Sequence, residues 1–136
     1  MGNIGYEDVS SNLYKLEMKF YIKKWGNPKI ANIRFDSSLS GDNGYRLIYS
    51  HKDKKLQLIR LSKEGEEIVA DVNHSFRTGT WYQLSFKYIN GIVEIRLNHE
   101  KIIHWRDSVS LNKGDIELSF GSMDVDISEL NFYSQF

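Results

Sequence analysis

Residues 79–107, G-T-W-Y-Q-L-S-F-K-Y-I-N-G-I-V-E-I-R-L-N-H-E-K-I-I-H-W-R-D, constrain this chain most, because they read as three consecutive antiparallel strands joined by two tight turns. Tyr82, Leu84, Phe86 and Tyr88 point one way and Gln83, Ser85 and Lys87 the other. Past Asn90-Gly91, Val93, Ile95 and Leu97 repeat the pattern against Glu94 and Arg96. A period of two with one wet face marks a half-buried antiparallel sheet. Asn-Gly between such runs predicts a type I′ hairpin turn, since that turn needs positive φ at both central residues.

The same alternation recurs along the chain. Leu16, Met18, Phe20 and Ile22 form one inward set before Trp25-Gly26-Asn27-Pro28 breaks the run with turn chemistry. Ala31, Ile33 and Phe35 form the next, followed by the polar loop S-S-L-S-G-D-N-G and then Tyr45, Leu47 and Tyr49. Leu56 and Leu58 read as core, as do Ile116, Leu118 and Phe120. About ten strands without a helix predict an all-β fold of two packed sheets. One β-sandwich domain is expected over residues 13–136, with residues 1–12 as a lead-in and 62–79 mainly as connection around a short strand at 67–71. In the last strand the inward set Val125 and Ile127 changes register to Leu130 and Phe132, which predicts a β-bulge near Ser128-Glu129.

Composition narrows the function. The chain has 136 residues with 18 basic and 18 acidic side chains, so no net charge draws it to nucleic acid or an anionic membrane. It has no cysteine, which excludes disulfides, thiolate chemistry and any Cys-containing zinc site. No apolar run is long enough to span a bilayer, and the first residues lack the charged and apolar regions of a signal peptide.

W-Y-x-L-x-F, then N-G, then V-x-I-x-L-N-x-x-x-I-I resembles the late hairpin of the concanavalin-like and laminin-G-like jelly rolls. Ile33-Arg34-Phe35-Asp36, Asn43-Gly44-Tyr45 and Lys55-Leu56-Gln57-Leu58 are similar to the early strands of the levan-type carbohydrate-binding modules. The closing stretch Val125-Asp126-Ile127-Ser128-Glu129-Leu130-Asn131-Phe132 is similar to the last strand of the related 3-keto-disaccharide hydrolase domains. The resemblance implies an antiparallel jelly-roll β-sandwich and a noncatalytic module that targets an attached or partner protein to a polysaccharide or oligosaccharide, with fructan as the specific suggestion. Such modules usually sit beside catalytic domains, so the expected setting is an extracellular or cell-surface protein of which this chain is one part. A laminin-G-like protein-interaction or adhesion domain and a small glycoside-processing hydrolase are the alternatives.

Alternation puts Asn32, Arg34 and Asp36 on the face opposite Ala31, Ile33 and Phe35, offering an amide, a guanidinium fork and a carboxylate in a row. Planar bidentate groups of this kind match vicinal hydroxyls, and an aromatic ring packs on the apolar side of a sugar. The adjacent loop adds Asp42, Asn43, Tyr45 and Arg46 to the expected ligand-binding set. Trp25, in its turn, is the best candidate for a stacking platform, with covering the loop as the alternative, whereas Trp81 is read as core or sheet edge and Trp105 as packing. The four histidines, His51, His74, His99 and His104, show no close metal-ligand pair. The jelly-roll resemblance allows a structural calcium ion, with Asp42, Asp124 and Asp126 as candidate ligands. Asp124, Asp126 and Glu129 also have the spacing of the carboxylate strand in laminarinase-type glycoside hydrolases. Here, however, the motif stands in the last strand and Asp replaces the nucleophilic Glu, so no catalytic residue is assigned.

Overall fold

The computed structural model describes residues 3–10, 13–39, 43–107 and 113–135, and these hold strands and turns without a helix. The strands are β1 (Asn3–Ser10), β2 (Leu13–Trp25), β3 (Asn32–Leu39), β4 (Gly44–Ser50), β5 (Lys55–Ser62), β6 (Gly65–Asn73), β7 (Trp81–Ile89), β8 (Ile92–Leu97), β9 (Glu100–Arg106), β10 (Lys113–Gly121) and β11 (Met123–Gln135). They pair antiparallel into a six-stranded sheet, β1-β10-β3-β4-β5-β6, and a five-stranded sheet, β11-β2-β7-β8-β9.

The predicted hairpins form as their turn residues require. Asn90 and Gly91 take φ of 47° and 84°, the type I′ signs, and pair β7 to β8 from Ile89 opposite Ile92. Asn98 and His99 repeat the conformation at 50° and 70° between β8 and β9. Two hydrogen bonds fold this second turn back on β7: the Gln83 N–H donates to Asn98 Oδ1 and the Asn98 N–H to the Gln83 carbonyl, both at 2.8 Å.

The inward sets of both sheets meet in one core. Phe35 of the six-stranded sheet lies 4.5 Å from Phe86 of the five-stranded sheet, and Phe20 packs among Phe76, Tyr82 and Phe120 at 5.5 to 5.8 Å between ring centroids. Each such large side chain contributes about 1.5–3 kcal/mol by leaving water. The bulge in β11 falls where the register change demanded it: Ile127 pairs Phe20 and Glu129 pairs Lys19, leaving Ser128 unopposed.

Two stretches read as connection are strands. Residues 3–10, inside the expected lead-in, form β1, with Ile4 opposite Leu118. Residues 65–73 form a full strand on β5, longer than 67–71, with a register shift opposite Leu58/Ile59. Both are the outer strands of the six-stranded sheet, paired on one side only. An edge strand buries little, so its sequence need not alternate, and E-E-I-V-A-D-V-N does not.

Candidate functional site

The polar row of β3 is built as alternation predicted. Ala31, Ile33 and Phe35 are buried, so Arg34 and Asp36 face out of the six-stranded sheet. Asp36 stands opposite Arg46 of β4 on one side and Glu117 of β10 on the other. Its two carboxylate oxygens are divided between two arginines. Arg34 Nε and Nη2 each reach Oδ2 at 2.8 Å, and Arg46 Nε donates to Oδ1 at 2.9 Å. Arg46 Nη1 continues to Glu66 of β6 at 3.3 Å. The hydrogen bond to Asp36 holds the Arg34 guanidinium further above its ordinary range, against the opposing effect of burial. Asp36 and Arg46 are largely covered, with side chains 15% and 19% exposed, whereas Arg34 and Glu66 reach 41% and 59%. The centre of the chain of charges is therefore fixed and its ends remain open to a ligand.

Register sets what surrounds these charges. Ile48 of β4 lies opposite Arg34, and Ile59 of β5, opposite Arg46, pairs with Ile68 of β6. Gln57 shares Asp71 with Lys55 at 3.4 and 3.3 Å. Isoleucine supplies the apolar contact on this face, because neither β5 nor β6 contains an aromatic residue.

Tyr45 and Asn43 belong elsewhere. Tyr45 is fully buried on the inward parity of β4, and its hydroxyl donates to Asp107. Arg60 Nε holds the same Asp107 at 2.6 Å, donates from Nη1 to the Leu61 carbonyl and to Asn43 Oδ1 at 3.4 Å, and lies 5.5 Å from the centre of the Tyr45 ring. Burial, then the bond to Asp107, pushes the Tyr45 phenol well above the ordinary tyrosine range, so it remains a neutral donor. The cluster rivets β4 and β5 to the segment leaving β9. It borders an open depression of about 420 Å³ that Trp105, Glu64 and Glu67 also line. Sequence reasoning missed Arg60 and Asp107. Arg60 opposite Tyr45 in the β4–β5 register was the available signal, whereas Asp107 sits 47 residues from Arg60 and gives none.

Trp25 does not stand free. Its ring stacks on His51 at 3.7 Å and 17°, and His51 Nδ1 is 3.0 Å from the Tyr49 hydroxyl. Trp105 packs edge-on against Tyr45 at 6.0 Å, as its parity required. Trp81, read as core or sheet edge, is in neither place: it lies on β7, between β2 and β8, and is 45% exposed; with Tyr82 buried, its own parity is outward.

Asp42 lies outside the described residues. Asp124 and Asp126 are exposed on β11, where Asp126 pairs with Lys23 at 3.3 Å and Asp124 borders a shallow depression with Trp25 and Ser122. Glu129 is exposed as well, and neither it nor Asp126 lines that depression. Among the described residues no group of three or more His, Cys, Asp or Glu is arranged to hold a metal ion.

No protein-family model matches the sequence, and no curated protein matches it at a significant level. Solved structures do match. Sheep galectin-11, in complex with glycerol, superposes with a TM-score of 0.74 at 14% identity over 98% of both chains. The carbohydrate-binding module CBM66 from Bacillus subtilis gives 0.67 at 16% identity over 96% of this chain and 78% of that one. Caenorhabditis elegans galectin LEC-6 gives 0.68 at 17%, over 96% and 89%. The chain has a concanavalin-like jelly-roll fold. At these identities the likeness extends to the architecture, and what this jelly roll does has to be argued from its own side chains.

Proposed function

We propose that this jelly roll is a noncatalytic carbohydrate-binding module whose glycan site is the outward face of the six-stranded sheet at Arg34, Asp36, Arg46 and Glu66. The observation that carries the reading is the hub at Asp36, which holds two guanidinium groups on its two carboxylate oxygens and leaves Arg34 and Glu66 open to solvent. Vicinal hydroxyls of a sugar accept from a guanidinium edge and donate to a carboxylate, and the exposed Ile68 with the half-buried Ile48 supplies apolar contact for the ring. A site held by sheet register loses little entropy on binding. Modest affinity is then enough to concentrate an attached enzyme on its polymer. Likeness to a carbohydrate-binding module and to galectins supports the same reading.

The test is a glycan array with a panel of insoluble polysaccharides, fructans included, with and without chelator. Binding is expected for the native domain and is expected to be lost in Arg34→Ala with an unchanged melting temperature. Loss on chelation would add a calcium ion to the binding reading. Silence across the panel, or full binding by Arg34→Ala, would refute the proposal.

A further inference from the structure

The outward face of the five-stranded sheet carries an aromatic platform that β5 and β6 lack. Trp81 opens β7 with 45% of its surface exposed, and Gln83 and Ser85 follow it on the same face. Tyr21 of β2, the register partner of Trp81, packs against it at 5.2 Å and 47°. Lys19 Nζ lies 5.7 Å from the centre of the Trp81 ring. Further along β7 the row enters a depression of about 270 Å³ lined by Lys15, Glu17, Gln83, Ser85, Arg96 and His99.

The chemistry of this row selects a neutral ligand. The cations lining the depression already have partners: Lys15 holds Glu17 at 2.7 Å, and Arg96 holds Glu94 at 2.6 Å while donating to the His99 carbonyl at 3.0 Å. A polyanion would have to displace those carboxylates. The Gln83 amide and the Ser85 hydroxyl, in contrast, make no side-chain hydrogen bond among the described residues. Free amide and hydroxyl groups next to an exposed indole are the groups that hold sugar rings. From Trp81 to Ser85 the row is about 14 Å long at the rise of an antiparallel strand, which suits several linked rings better than one.

We propose that Trp81, Gln83 and Ser85, flanked by Tyr21 and Glu17, form a second binding site that takes an extended neutral polysaccharide chain along β7. It lies on the sheet opposite Arg34, Asp36 and Arg46 and does not depend on them.

Affinity electrophoresis in gels containing hydroxyethylcellulose, glucomannan, laminarin or levan, with dextran and dextran sulfate as a matched pair, tests it. At least one neutral polymer should retard the native domain. Trp81→Ala and Gln83→Ala should each weaken that affinity at least about fivefold, while Lys63→Ala, on the exposed turn between β5 and β6, leaves it unchanged; Arg46→Ala is run beside them to report on the six-stranded sheet. Melting curves show whether Trp81→Ala still folds, and Gln83→Ala gives the answer if it does not. No retardation by any neutral polymer, unchanged retardation of the folded variants, or tighter binding to dextran sulfate than to dextran would overturn the proposal. Retardation lost only in Arg46→Ala would also overturn it and would leave the site on the six-stranded sheet standing.

Discussion

Two aspartates in this jelly roll are each held by arginine, and their surroundings give them opposite uses. At the end of the sandwich, Asp107 is 4% exposed and Arg60 13%, and Tyr45 completes the set from below. On the open sheet, Asp36 takes two arginines, one of which is 41% exposed. Removing charges from water is costly, and only complete pairing offsets the cost. The buried set has therefore closed on itself, whereas the exposed set keeps donors and acceptors at its margins.

The sharpest way to break this comparison is to remove one buried partner. Arg60→Met leaves Asp107 buried without its cation and should cost about 3 kcal/mol or more of unfolding free energy, measured by urea denaturation. A cost below that of Arg46→Ala would mean that burial does not separate the two clusters. Tyr45→Phe removes only the phenol that Asp107 accepts from and should cost about 1–3 kcal/mol. On the open face, Arg46→Ala should change stability by about 1 kcal/mol or less in the same assay, while glycan affinity falls.

A smaller effect concerns pH. Burial holds His74 below the ordinary histidine value of 6.5, and its Nε2 is buried without a partner among the described residues. His51 is lowered too, by burial and then by Lys54. A base whose folded pKa is depressed contributes stability above its unfolded value. That contribution is lost as pH falls from 6.5 through the lower folded value. Melting temperature should therefore drop across that window, and His74→Phe should flatten part of the drop. An unchanged slope in that variant would remove His74 from the account.

How much of this was legible in the sequence follows the same division. Wherever one face is buried, alternation set every orientation: Arg34 and Asp36 outward, Phe35 and Leu47 inward, and the bulge at Ser128. Tyr45 was grouped with Arg46 because the two are neighbours in the chain, yet adjacent strand residues face opposite ways, and parity assigns Tyr45 to the core. Trp81 carries the same lesson in reverse. Strand β1 escaped and β6 was read too short because edges need no alternation, and Asp107 escaped because its partners come from distant strands.

The most direct test is a map of backbone amide shifts on titrating the best-binding short saccharide into ¹⁵N-labelled protein. Saturable shifts centred on Arg34, Asp36, Arg46 and Glu66, with Arg60 and Asp107 unmoved, are the predicted result. Shifts centred on Asn43, Arg60 and Asp107, or no saturable shift on β3 and β4, would contradict it.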